Sequence, residues 1–111
     1  MKIAVASSND GKVTEHFGKA QKFFIYEFDG ENTEFLEIRE SKKNPGEKHQ
    51  WGKSLEVTGD CEVIICLQIG INAKPGLKKM GKKVFEDEGT VEEVLERFVA
   101  HYKFMNQPIK F

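Results

Sequence analysis

Met1-Lys2-Ile3-Ala4-Val5-Ala6-Ser7-Ser8-Asn9-Asp10-Gly11 opens the chain, and Glu15-His16-Phe17-Gly18 follows shortly after it. The apolar run Ile3–Ala6, closed by small turn-forming residues, predicts a strand buried on both faces. A strand with that burial belongs near the middle of a sheet. Its loop then delivers His16 to the sheet's carboxyl rim.

Working outward, Glu62-Val63-Ile64-Ile65-Cys66-Leu67 is a second continuous apolar run and predicts a parallel neighbour. Between the two, Lys22–Phe28 is dense in aromatic and β-branched residues. Asp29-Gly30-Glu31-Asn32 is a turn signal, so Lys22–Phe28 and Thr33–Arg39 predict an antiparallel hairpin. In its second strand Leu36 and Ile38 share one face. Phe35 falls with Glu37 and Arg39 on the other, where a helix or the adjacent loop is expected to cover it.

Residues Ser41–Gln50 have no apolar period and predict a mobile surface loop of the kind used for lids and binding. Trp51–Thr58 follows as a short helix with Trp51, Leu55 and Thr58 on one face, ended by Gly59-Asp60. Asn72 is placed to cap a helix from about Ala73 to Met80, with Pro75 tolerated in its first turn and Gly81 stopping it. Lys83–Glu86 is a last short strand. The closing helix begins with a Thr90/Glu93 capping box and repeats Val91, Val94, Leu95, Phe98, Val99 and Tyr102 at helical spacing. Glu93 and Arg97 are spaced to pair on its outer side. Residues 103–111 carry no usable pattern. The reading is one α/β domain over 1–111: an antiparallel hairpin joined to a parallel β-α-β-α-β-α unit.

Composition narrows the function. The 111 residues are 39% hydrophobic and 32% charged, and 17 basic residues nearly cancel 18 acidic ones. That balance, without a basic stripe, argues against nucleic acid as a partner. No apolar run is long enough to span a bilayer, and no signal-peptide pattern precedes the first strand. With two cysteines, the expectation is a cytoplasmic chain with reduced thiols. Serine-hydrolase elbows, Cys-x-x-Cys pairs, His-Glu-x-x-His and phosphate-loop motifs are missing. The first strand has no acid in its middle, which argues against a two-metal nuclease.

If the two apolar strands are parallel neighbours, their carboxyl ends meet at the edge where open α/β sheets bind ligands. Ser7, Asn9 and His16 arrive there from one side. From the other come Cys66, Gln68, Gly70-Ile71-Asn72 and the amides opening the next helix. Thiolate and imidazole suit iron–sulfur or transition-metal chemistry. Cys61 and Cys66 lie about 16 Å apart along one strand and point to opposite faces, so they neither chelate together nor form a disulfide. Bland readings stand beside these: Cys66 as a small core hydrophobe, His16 and His49 as solvated loop residues, His101 as an exposed helix residue.

Met1-Lys2-Ile3-Ala4-Val5-Ala6, Glu15-His16-Phe17-Gly18-Lys19-Ala20 and Phe24-Ile25-Tyr26-Glu27 together resemble the opening of the dinitrogenase iron–molybdenum cofactor biosynthesis family, which includes NifX/NafY-like accessory proteins. The similarity runs through Cys61–Gly70 and Pro75-Gly76-Leu77 to Val84-Phe85, over roughly residues 1 to 100. It implies a ribonuclease H-like three-layer α/β fold with a mixed five-stranded sheet. It also implies a non-catalytic carrier that binds an iron–sulfur or iron–molybdenum cofactor precursor, with a cofactor-assembly or acceptor protein as partner. By that implication His16 is the first cluster contact, and His49, before Trp51-Gly52, is a second. Cys66 departs from the glycine-rich stretch common at that point in the family. The expected site is therefore His16, Cys66 and His49 as metal contacts, with Asn9, Gly70 and Asn72 around the cofactor. Two alternatives remain: a metal-free regulatory or protein-interaction module, and an anion- or nucleotide-binding domain.

Overall fold

The computed structural model describes residues 1–44, 46–47 and 50–106. Eight elements follow in chain order: β1 (Lys2–Ser7), β2 (Lys22–Phe28), β3 (Thr33–Glu40), α1 (Trp51–Thr58), β4 (Val63–Cys66), α2 (Ala73–Lys79), β5 (Lys83–Glu86) and α3 (Val91–Met105). The sheet has five strands in the order β3-β2-β1-β4-β5. β1 pairs with β2 antiparallel and with β4 parallel, and β4 pairs with β5 parallel. The expected mixed sheet, with β1 at its centre, is what forms.

Alternation along β1 sorts the core into two layers. Ala4 and Ala6 face α1 and α2, packing with Phe17, Phe23, Ile25, Ile64, Cys66 and Leu77. Ile3 and Val5 face α3, packing with Phe28, Val63, Ile65, Val94 and Phe98. The short alanine side chains leave room on the α1/α2 side for the rings of Phe17 and Phe23, which meet edge-on at 6.0 Å. Helices thus cover both faces of the sheet.

β3 departs from the sequence reading. Tyr26 pairs with Phe35 but Ile25 pairs with Glu37, so an extra residue interrupts the ladder at Leu36. This bulge shifts the alternation by one position and brings Phe35 onto the same face as Ile38. Phe35 is covered by neither helix nor loop: it stays 50% exposed and rests against the rings of Phe24 and Tyr26.

Other corrections follow from local hydrogen bonding. The capping box of α3 is present, with Glu93 bonded back to the Thr90 amide, so Arg97 turns instead to Asp87 and the Glu88 carbonyl. α3 also runs on through Lys103 to Met105, beyond the expected boundary. Asn72 precedes α2 in a helical conformation and makes no side-chain cap bond. Instead, the Gly70 carbonyl accepts from the Ala73 and Lys74 amides at 3.1 Å each, so those amides are not free.

The end of α1 is held from outside. Lys82 Nζ donates to the carbonyls of Thr58, Gly59 and Cys61, gathering the acceptors at the end of the helix and just beyond it. Arg39 reaches from β3 to the Val57 carbonyl and grips both oxygens of Asp60. The guanidinium beside Asp60 holds its carboxyl well below the usual carboxylate range. Its folded pKa lies below the unfolded value near 3.8, so its contribution is present above that pH and is lost on acidification. Asp60 is 45% exposed, and solvent screening keeps the contribution small. Asp60→Asn is expected to cost about 0.5–1 kcal/mol at pH 7 in urea unfolding, with the difference vanishing in acid.

Candidate functional site

The loop after β1 first goes outward and then returns. A Gly11 N–H to Ser8 carbonyl bond closes its tip, with Gly11 at φ +74°. Bridges from Ser7 to Thr14 and from Val13 to Thr90 seat the returning limb against the start of α3. Glu15–Phe17 then runs alongside the end of β4: the Leu67 amide donates to the Glu15 carbonyl at 3.0 Å, and the Phe17 amide to the Gln68 carbonyl at 2.8 Å. The predicted meeting of the His16 segment with the carboxyl end of β4 is therefore built from backbone hydrogen bonds.

Within His-Phe-Gly each residue has its own task. Phe17 is fully buried, and its carbonyl accepts from the buried hydroxyl of Ser54 on α1 at 2.7 Å. His16 stays partly exposed, its carbonyl accepting from the Lys19 and Ala20 amides. Gly18 turns its amide onto His16 Nδ1 at 3.0 Å.

His16 and Gly18 line a cavity of about 420 Å³ together with Lys19, Glu47, Gln50, Trp51 and the Gly70–Ala73 turn. Trp51 spans it, with its ring edge against Gly76 of α2, where an added Cβ would lie 3.6 Å from Cη2. Gln50 clasps the preceding loop, exchanging hydrogen bonds with the Asn44 backbone and donating to the Glu47 carbonyl. Lys74 pairs with Glu86 at 2.8 Å, and Glu86 also accepts from the Ile69 amide, tying the turn to β5. Hydrogen bonding from Lys74 holds the Glu86 carboxyl below its ordinary range.

Three of the sequence-derived residues, His16, Gly70 and Asn72, meet at this cavity. Two do not. Cys66 is fully buried in the α1/α2 core, and burial pushes its thiol up to about 12. Asn9, at the outward tip of the loop, lines a separate hollow with Gln21, Lys22 and Glu40–Lys42. His49 lies outside the described residues. Lys19, Glu47 and Gln50 were not singled out, although Glu47 and Gln50 belong to the Ser41–Gln50 stretch read as a lid or binding loop. Lys19 directly follows His-Phe-Gly, and that adjacency was the available signal.

A profile of the family described as "Dinitrogenase iron-molybdenum cofactor" matches residues 1–101. The chain belongs to this family. Among relatives of the family protein, a FeMo cofactor biosynthesis protein NifB from Chlorobaculum tepidum is 28% identical over 95 residues, covering 84% of this chain and 22% of that one. NifX from Azotobacter vinelandii is 26% identical over 83 residues, covering 73% of this chain and 52% of that one. The chain thus spans about a fifth of the NifB it matches and about half of the NifX. The NMR structure of a Thermotoga protein provisionally assigned as NifB aligns at a TM-score of 0.58 with 27% identity, covering 99% of this chain and 98% of that one. Among the described residues no helix is long and apolar enough to cross a membrane.

Proposed function

We propose that this family member is a small, non-catalytic carrier that holds an iron–sulfur or iron–molybdenum cofactor precursor and passes it to a cofactor-assembly or acceptor protein. The observation that carries this reading is the cavity of about 420 Å³ at the rim of β1 and β4, with His16 on its wall. Its size suits a compact cluster. Among the described residues no three of His, Cys, Asp and Glu gather as a metal site. Sparse ligation suits cargo that must be released, because each added thiolate or imidazole would deepen the trap. Helices on both faces and the order β3-β2-β1-β4-β5 with only β2 reversed support the ribonuclease H-like layout. The two free, buried thiols suit a reducing cytoplasm.

Anaerobic reconstitution with ferrous iron and sulfide, read by visible absorption and spin resonance, tests the proposal. The wild-type chain is expected to acquire a chromophore. His16→Ala is expected to weaken loading by about tenfold or more. Cys66→Ala, whose side chain is enclosed in the α1/α2 core and does not line the cavity, is expected to load as the wild type does. A colourless wild type, or full loading of His16→Ala, overturns the reading.

A further inference from the structure

We infer that His16 meets its cargo as a hydrogen-bond donor, so that the cavity takes polyanionic clusters by their exposed sulfide or oxyanion atoms rather than by an open metal coordination position. The inference rests on the carrier reading above and names the face of the cargo that is recognised.

The argument begins with one proton. A neutral imidazole carries a single N–H, and an atom that accepts a hydrogen bond does not hold it. The Gly18 amide donates to His16 Nδ1 at 3.0 Å, which places the ring proton on Nε2. A metal-ligating histidine shows the reverse pattern: its second nitrogen donates to a carboxylate, carbonyl or water, and that bond fixes the tautomer. Here the second nitrogen faces a donor. Metal coordination through Nε2 would require its proton to move to Nδ1 and the Gly18 bond to break.

The backbone around the ring resists such a rearrangement. The His16 amide donates to Glu15 Oε1 at 2.7 Å, and its carbonyl accepts from the Lys19 and Ala20 amides at 3.0 and 2.9 Å. Phe17, next in the chain, is locked into the core. Gly18 itself lies close to the imidazole, where an added Cβ would sit 3.5 Å from both Nδ1 and Cε1. Nε2 makes no hydrogen bond among the described residues, so its N–H is available. Lys19 lines the same cavity and adds a cation. Glu47 brings a carboxylate to the same wall, but Asn44 Nδ2 and Lys53 Nζ both donate to its Oε2. His16 Nε2 and Lys19 are then the side chains that favour electron-rich atoms over an electron-poor metal.

Two substitutions separate donor from ligand. His16→Gln keeps an N–H of similar reach but is a poor ligand for iron; His16→Cys supplies a strong iron ligand and removes the ring N–H. Each is loaded anaerobically from ferrous iron and sulfide, with circular dichroism as the folding control. Loading of His16→Gln is expected to stay within about threefold of the wild type, and that of His16→Cys to fall about tenfold or more. The opposite ranking overturns the inference, as does equal loading of both variants. A wild type that takes up no cluster removes the carrier reading and the inference with it, whereas a loaded wild type with an inactive His16→Gln removes the inference alone. Nitrogen-15 NMR of the wild-type imidazole gives a test independent of any variant. The proton is expected on Nε2 in the unloaded protein, and a proton on Nδ1 overturns the assignment.

Discussion

Phe17→Ala is expected to lower the unfolding free energy by about 3–5 kcal/mol, read as a fall in the urea midpoint at constant m-value. Phe17 is fully buried, and its closest aromatic neighbour, Phe23, meets it at an edge. The other side chains on that face of β1 are Ala4 and Ala6, too short to refill the space. The residue also links three parts of the chain: its amide reaches Gln68 beyond β4, its carbonyl reaches Ser54 on α1, and its flanking residues line the cavity. Phe17→Leu keeps most of the volume and is expected to cost no more than about 1.5 kcal/mol. A loss below about 1 kcal/mol for the alanine variant would mean that the ring is not packed as described. In this family member the phenylalanine of His-Phe-Gly is therefore the anchor, and the histidine before it is the part held out.

A second large effect concerns the thiols. At pH 8 Cys66 of the folded chain should react with an aromatic disulfide about a thousandfold more slowly, and Cys61 about a hundredfold more slowly, than in the unfolded chain. Burial pushes Cys66 up to about 12 and Cys61 up to about 11, from an ordinary 9.0. The nearby carboxylates of Glu86 and Asp60 push in the same direction. At pH 8 a thiol near 12 is ionised in roughly one molecule in ten thousand, and the surrounding core also blocks the reagent. The same shifts act on stability. Because the folded values lie above the unfolded ones, the thiols' contribution is intact below about 9.0 and declines as pH rises toward about 11 and 12. Rapid modification of Cys66 in a chain that keeps its circular dichroism would return that thiol to the rim.

The residues that spoke most plainly in the sequence were those whose neighbours are local. The Thr90/Glu93 box and the spacing from Val91 to Tyr102 specify α3, and a single turn of chain suffices to form the cap. Ile3–Ala6 and Val63–Cys66 were legible as central strands because burial on both faces leaves no polar alternation to misread. The failures are of another kind. A bulge has no composition of its own here, so the face taken by Phe35 depended on pairing with Tyr26 that only the sheet decides. Cys66 was rightly placed at the end of its strand, but height along a strand does not say which face a side chain takes. It shares its face with Ile64, under Ala73 and Leu77 of α2. Asn9 lies away from the cavity because Ser8–Gly11 forms its own turn before the chain comes back. His16 lies at the rim because the return limb is hydrogen-bonded to the strand end that was expected beside it.

The ring of Trp51, laid against Gly76 at the cavity wall, belongs to the only tryptophan in the chain. Its fluorescence is therefore a signal from one place. Iron–sulfur species absorb across the tryptophan emission band, so a cluster seated beside that ring would darken it. Loading and release could then be followed in real time, without labels, at concentrations well below those that absorbance requires.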